Sequence, residues 1–292
     1  MRRFKWTLSD LAFHACNFMF LALLGIITLL PFMNVLSKAV SEEWAVVSGK
    51  VGLLPVGFQL GTLGYVAASG QFLRSFGVSV LVASVGTAGA ILMTALAAYP
   101  LSKRRLPGMR TVLVFYVFTM VFSGGLIPNY LLIKRLGLIN TLGALILPSL
   151  ISVYNMLIVK NYFESLPESL EESAHLDGAS PLHIFFSIML PLSIPVIATV
   201  SLFYMVAFWN DFFNPMIYIN SPSLKTLQLY LRDIVMDANA SPADRSADDL
   251  MNISPEGVRA ATIIASTVPI LLVYPWVQRY FIKGILIGSV KG

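Results

Sequence analysis

The residues best placed to do chemistry lie in one polar stretch, 161–191, which carries five acidic side chains. These are Glu164, Glu168, Glu171, Glu172 and Asp177. The sequence contains no P-loop, no HExxH and no close cluster of histidine and cysteine, so phosphate and zinc chemistry are not indicated. Carboxylates in such a stretch can instead form ion pairs or cap helices. The bare pattern is equally typical of an amphipathic loop at a membrane surface.

Local rules predict two short helices joined by a bend within this stretch. Ser165 followed by Glu168 predicts a capped helix start. Gly178 can adopt the positive φ that ends a helix. Ser180 and the proline after it predict a second start, and that helix continues to Pro191. One face of the first helix carries apolar residues four positions apart, Leu166, Leu170 and Ala174.

The composition indicates that a membrane surrounds this stretch. The chain has 292 residues, of which 57% are hydrophobic and 12% charged, whereas a soluble domain carries about 25% charged residues. So little charge cannot cover a soluble globule, and we interpret the net charge of +5 as membrane topology rather than nucleic-acid binding. Cys16 is the single cysteine and can form no internal disulfide.

The apolar runs predict an all-α integral membrane protein, a single domain over 1–292 with six transmembrane helices. Lysine and arginine in the short loops place both termini and segment 161–191 in the cytoplasm. Longer outer loops are expected at 37–72 and 214–257, with a polar surface loop over 237–256. The predicted spans are 11–36, 73–99, 108–124, 140–160, 193–213 and 258–279.

Two patterns inside the spans predict local structure. Gly124 and Gly125 should interrupt the third apolar run. In the second span, small residues recur every four positions and predict a face that another helix approaches closely. These residues are Gly86, Ala90, Thr94 and Ala98.

The spans are poor in charge, which argues against a self-powered transporter. Proton- or ion-coupled carriers usually place acidic or basic residues within the bundle, and a duplicated half is also absent. An ion-coupled secondary sugar transporter remains the alternative, and a membrane-embedded enzyme or signalling scaffold is a weaker one. The energy source is therefore expected on another chain.

The cytoplasmic stretch resembles the EAA loop of ATP-binding-cassette (ABC) importer permeases. The residues that match are Glu172, Ser173, Ala174, Asp177, Gly178, Ala179 and Pro191, with Ser173 standing where the family usually has alanine. Further resemblance to the sugar-importing, maltose-type branch and its LplC-like group lies in SGGLIPNYLLIKRLGLINT (123–141), WNDFFNP (209–215) and YPWVQRYFIKGILIGSVKG (274–292).

This resemblance implies a type I ABC importer permease in the bacterial cytoplasmic (inner) membrane. Its partners would be a second homologous permease, two ATPase subunits that bind ATP and Mg, an extracellular or periplasmic solute-binding protein and membrane lipid, but no nucleic acid. The chain itself would be non-catalytic and bind no cofactor.

The resemblance also implies roles for individual residues. The helix ending at Gly178 would dock in a groove of the ATPase, and Glu172 would hold the docked geometry. The tail residues Ser289 and Lys291 would also contact the ATPase. The cargo would be an oligosaccharide, including acidic ones such as alginate. Polar and aromatic residues near mid-membrane are the substrate-path candidates, namely Tyr154, Asn155, Tyr204, Trp209, Asn210 and Asp211.

Overall fold

The computed structural model describes residues 8–103, 106–236, 254–269 and 271–272. In this part of the chain the secondary structure is helical, apart from one isolated antiparallel bridge between Ser41 and Phe58. The prediction of an all-α fold is therefore confirmed. The predicted outer surface loop at 237–256 lies almost entirely outside the described residues.

The helices are, in chain order, α1 (Leu8–Ala39), α2 (Glu43–Val47), α3 (Gly61–Ala68), α4 (Gly70–Leu101), α5 (Met109–Val121), α6 (Leu126–Arg135), α7 (Gly143–Ile146), α8 (Val153–Ser165), α9 (Glu168–Leu176), α10 (Pro181–Ile184), α11 (Leu190–Leu192), α12 (Ile194–Asn210), α13 (Phe213–Tyr218), α14 (Leu227–Met236) and α15 (255–269). The described residues also form two 3₁₀ turns, at Leu147–Ser149 and Pro222–Leu224.

Two of the described helices are long and apolar enough to span a membrane, Ala12–Ala39 and Gly70–Leu101. Three further pairs pass the same test as bent spans. Counting each pair once gives up to five spans in the described residues. Of the predicted sixth span, 258–279, residues 258–269 and 271–272 are described and are helical.

Each bend has a local cause in the sequence. α5 and α6 meet at 113°, and Gly125 lies between them with φ +88°, as predicted. Gly143–Ser149 and Val153–Ser165 meet at 45°, where Ser152 caps the second helix. Pro181–Leu192 and Ile194–Asn210 meet at 81°, where prolines remove helix hydrogen bonds.

The segment before the last bend contains a widened turn. Residues Phe185–Met189 form a π-turn, in which Leu190 N–H donates to the carbonyl of Phe185, five residues back. Pro191 follows directly. A proline has no N–H for the bond four residues back and its ring crowds that carbonyl, so a wider turn is favoured.

The contacts group the chain into two compact units, of which the second contains the candidate site. This unit comprises the described residues of Gly70–Asp233 and Pro269–Gly292. In it α4 packs against α8 and α12. The small residues of α4 are buried, which confirms the predicted close-approach face. A Cβ atom on Gly86 would lie 2.9 Å from the ring of Phe208.

One asparagine joins two loops of this unit. Asn140 has a positive φ of 62°, a conformation that asparagine tolerates better than most residues. Its Nδ2 donates to Ser221 Oγ at 2.8 Å, and its Oδ1 accepts from the backbone N–H of Asn220 at 3.0 Å and of Ser221 at 2.8 Å. The loop before α7 is thereby fixed to the loop after α13.

The first unit comprises the described residues of Met1–Ser69 and Ile234–Val268. In this unit Glu43 accepts from Thr62 Oγ1 at 2.6 Å and from Ser254 N–H at 2.8 Å. Ser254 in turn accepts from Gly257 N–H at 3.0 Å and so caps α15. The prediction that 1–292 form a single permease domain stays a prediction.

Candidate functional site

The first candidate site is the bend that follows α9. Gly178 has φ +80°. Its N–H donates to the carbonyl of His175 at 3.0 Å, and the N–H of Ala179 donates to the carbonyl of Ala174 at 3.0 Å. This pair of bonds is a Schellman motif, whose left-handed residue is normally glycine. The predicted bend at Gly178 is confirmed, and its cause is conformational, because no other atom lies within 4 Å of the position of a Cβ.

The sequence predicts the start of the helix after the bend correctly, but not the start of α9. Ser180 Oγ accepts from the N–H of His183 at 3.3 Å, which confirms the second start. The predicted cap by Ser165 is wrong. Ser165 is the last residue of α8 and its hydroxyl donates to the carbonyl of Tyr162 at 2.7 Å. Pro167 stands at the N-terminus of α9 without a side-chain cap.

The outward surface of this segment combines acidic and apolar side chains. Leu176, at the tip, is 89% exposed, and Glu172, Ser173, Asp177 and Gly178 are also exposed. Ala174 is buried and Ala179 half-buried, while Pro191 is exposed at the far end of the second helix. Such a projecting leucine beside carboxylates is a surface suited to contact with another protein.

The inward side of the segment is fixed to the spanning helices. Glu171 forms an ion pair with Lys103, the second residue after the end of α4. Lys103 in turn lies over the ring of Tyr99. The rings of Tyr99, Phe163 and Phe185 pack against one another, with centroid distances of 5.2 to 6.4 Å. The segment thus has an exposed tip and a base packed into the helix bundle.

The second candidate site is a cleft of about 430 Å³ within the second unit. Four of the six predicted substrate-path residues line it, namely Asn155, Tyr204, Asn210 and Asp211. The other two do not: Tyr154 is 57% exposed, and the ring of Trp209 packs edge-on against Phe76. The remaining lining residues are Ser149, Ile151, Ser152, Ala207, Phe208 and Asn214.

Tyr204 forms hydrogen bonds to two other elements beside the cleft. Its hydroxyl is hydrogen-bonded to Thr94 Oγ1 at 2.6 Å and accepts from the N–H of Ser152 at 2.8 Å. The side chain is 3% exposed. Because these bonds join α4, the start of α8 and α12, we assign Tyr204 a structural role at this site.

Asp211 and Asn155 contribute the polar groups of the cleft in different ways. Asp211 Oδ1 accepts from the N–H groups of Phe213 and Asn214 at 3.1 Å, and its Oδ2 accepts from Asn214 Nδ2 at 2.8 Å. Asn155 is 6% exposed, and its carboxamide has no hydrogen-bond partner among the described residues. Because Asn155 lines the cleft, this amide is available to a ligand as both donor and acceptor.

Sequence reasoning missed Asn214, Ser149 and Ser152 as lining residues. Asn214 could have been found, because it stands three residues after Asp211 in WNDFFNP, a spacing that lets the first side chain cap the second residue's N–H. The serines carry no such signal. The predicted ATPase-contacting residues Ser289 and Lys291 lie outside the described residues.

Comparison with known proteins gives relatives over nearly the whole chain. The family described as "binding-protein-dependent transport system inner membrane component" matches residues 62–287. Protein LplC of Bacillus subtilis is 43% identical over 98% of this chain and 97% of its own length. The polygalacturonan/rhamnogalacturonan transport system permease protein YtcP of the same organism is 43% identical over 94% of this chain and 96% of its own length.

A solved structure is similar throughout. A chain from the crystal structure of a bacterial ABC transporter involved in the import of the acidic polysaccharide alginate has a TM-score of 0.89 to this chain and 32% sequence identity. The match covers 95% of this chain and 99% of that one.

Proposed function

The chain belongs to the family of inner membrane components of binding-protein-dependent transport systems, and we propose that its cargo is an oligosaccharide rich in uronic acid. It is a multi-pass permease subunit of a sugar ABC importer in the bacterial cytoplasmic (inner) membrane. A second permease, two ATPase subunits and a solute-binding protein complete the importer. ATP and Mg bind to the ATPase subunits, and nothing in the comparisons favours the ion-coupled alternative.

Two relatives support the acidic character of the cargo, and the polarity of the cleft supports a sugar. One relative is named for polygalacturonan and rhamnogalacturonan, and the similar solved chain belongs to an alginate importer. The cleft of this chain offers serine hydroxyls, amides and one carboxylate, and no lysine or arginine among its described lining residues. It therefore suits sugar hydroxyls, and the carboxylates of the cargo must be bound outside this cleft.

The observation that carries the coupling mechanism is the exposed bend at Gly178. ATP binding closes the ATPase dimer and displaces the tip formed by Leu176, Asp177 and Gly178. Glu172, exposed on the same helix, pairs with or caps groups of the ATPase. The displacement passes through the packed base of segment 161–191 to the spanning helices and opens the cleft alternately to each side.

Replacing Gly178 with leucine tests this mechanism. Gly137 provides the matched control, because it also has a positive φ, 68°, at the end of a helix. There the N–H of Leu138 donates to the carbonyl of Ile133 at 3.1 Å. This bond corresponds to the one from Ala179 to Ala174 in the Schellman motif at Gly178. Each leucine costs on the order of 1 kcal/mol in backbone strain. Only the leucine at Gly178 also adds bulk at the docking tip.

We expect Gly178→Leu to lose binding-protein-stimulated ATPase activity and uptake in proteoliposomes that contain all subunits. Activities are normalised to assembled complex. Gly137→Leu should keep both activities while losing similar thermal stability. If the two variants behave alike in both assays, the bend is not the docking site.

The cleft is tested by replacing Asn155 with leucine, which has the same number and branching of side-chain heavy atoms but no amide. We expect uptake of oligogalacturonate or alginate oligosaccharides to fall at least tenfold, since a ligand hydroxyl bound to this amide would lose its partner. Tyr154→Ala, one residue earlier but outside the cleft, should change uptake less than twofold. A larger loss in Tyr154→Ala than in Asn155→Leu would place the substrate path elsewhere.

A further inference from the structure

Helix α9 is held by little apolar packing. Of its residues, Ala174 is the buried one. A single alanine removes little apolar surface from water, so it cannot by itself fix the orientation of a nine-residue helix. The remaining contacts of α9 must therefore hold it when a partner pushes on its tip.

Glu171 supplies such a contact with the spanning helix α4. It forms an ion pair with Lys103 in which the two side chains are 15% and 27% exposed. At this degree of burial the attraction between the charges is screened less than at an open surface. Lys103 Nζ also lies 4.6 Å from the ring centroid of Tyr99, within cation–π range.

The contact continues into a buried aromatic cluster. The ring of Tyr99 lies 5.9 Å from that of Phe163 on α8 and 5.2 Å from that of Phe185 in the π-turn. Phe163 and Phe185 are both buried. Close-packed interiors have low compressibility and transmit displacement. A path of direct contacts therefore runs from α9 to α4, α8 and the π-turn.

We propose that Glu171, through Lys103, is the positioning residue that makes α4 follow the movement of α9. This inference rests on the proposed function, and it gives the neighbouring acids Glu171 and Glu172 opposite tasks. Glu172 faces the ATPase, whereas Glu171 faces the membrane-spanning core. Loss of the pair would let α9 move without moving α4, so ATP would be hydrolysed with less transport.

The test measures sugar transported per ATP hydrolysed in proteoliposomes with the complete importer. The variants are Lys103→Gln, Glu171→Gln and the exchange Lys103→Glu with Glu171→Lys. The control is the pair Lys225 and Asp233, changed to Gln and Asn. Those side chains form an ion pair of 2.7 Å with 29% and 28% exposure. Neither residue belongs to α4, α8 or α9.

We expect the ratio of transport to hydrolysis to fall at least fivefold in Lys103→Gln and in Glu171→Gln. The exchanged pair should return it to within twofold of wild type, and the control variants should keep it. A merely stabilising ion pair would change the amount of assembled complex but not this ratio. An unchanged ratio, an equal fall in the controls, or an exchanged pair that does not assemble overturns the proposal.

Uptake by the wild-type complex shows whether a negative result concerns the proposed function or only the role of Glu171. If the wild type does not transport sugar, the proposed function fails. If it transports normally and the ratio is insensitive to Lys103 and Glu171, only the positioning role fails.

Discussion

Replacing Gly86 with alanine should force α4 and α12 apart. The new Cβ would lie 2.9 Å from two carbon atoms of the Phe208 ring and 3.0 Å from a third. Carbon atoms prefer a separation of about 3.5 to 4.0 Å, so the ring must withdraw by ~0.5 Å or more. Phe208 is buried and lines the cleft, so it cannot move without disturbing its neighbours.

The magnitude follows from a comparison within the same helix. Overpacking a buried site costs about 1 to 3 kcal/mol, while replacing a helical glycine with alanine gains up to about 1 kcal/mol. Gly77 also lies in α4, and no other atom lies within 4 Å of its Cβ position. Gly77→Ala therefore keeps the gain without the clash, and the two variants should differ by about 1 to 3 kcal/mol.

Thermal unfolding of the purified chain in detergent, followed by circular dichroism, measures this difference. Gly86→Ala should unfold at a lower temperature than Gly77→Ala, and its complex should transport less because the ring moves into the cleft. Adding Phe208→Leu should remove much of the penalty, with a coupling between the two changes of about 1 kcal/mol. Equal midpoints for Gly86→Ala and Gly77→Ala would refute the packing argument.

Two further predictions concern single polar residues. Asn140→Ala should lower stability by about 2 to 3 kcal/mol, because it removes three side-chain hydrogen bonds and strains a positive φ. Asn140→Gly removes the same bonds without the strain, so it should unfold at a higher temperature than Asn140→Ala. If the thermal midpoint of Asn140→Gly is no higher than that of Asn140→Ala, this account is wrong. Asp211→Ala should lower stability by about 1 to 3 kcal/mol, because it removes the acceptor of two backbone N–H groups and of Asn214 Nδ2. Asn214→Ala removes only the bond between the two side chains, so a thermal midpoint no higher than that of Asp211→Ala would contradict the assigned geometry.

Features set by a few adjacent residues were predictable from sequence. The bend at Gly178, the start at Ser180 and the break at Gly125 each depend on one residue's backbone preference and its immediate neighbours. The buried face of α4 was predictable for a similar reason, since the spacing of small residues defines it. The cap predicted at Ser165 shows the limit of such rules. It is wrong because α8 extends through this residue, whose hydroxyl donates to the carbonyl of Tyr162.

Features that depend on contacts between distant residues were not predictable in this way. Lys103 and Glu171 are 68 positions apart, and Thr94 and Tyr204 are 110 apart. Nothing in either local sequence selects its partner, since the pairing depends on how α4 packs against α8, α9 and α12. The residue type of Tyr204 predicts contact with substrate, and this stays a prediction. The bonds of its hydroxyl to Thr94 and Ser152 could not be predicted from the local sequence.

The π-turn at Phe185–Met189 lets this part of the chain hold one more residue than a regular helix without rotating its two ends relative to each other. In a regular α-helix each added residue rotates everything beyond it by about 100°, whereas a hydrogen bond to the fifth residue back takes up the extra residue within one turn. An insertion or deletion in the regular helix α12 would therefore rotate its ends by about 100°, while the wide turn already absorbs such a change. The turn thus keeps the tip at Leu176 aligned with the spanning helices, although no residue within it needs to touch the ATPase.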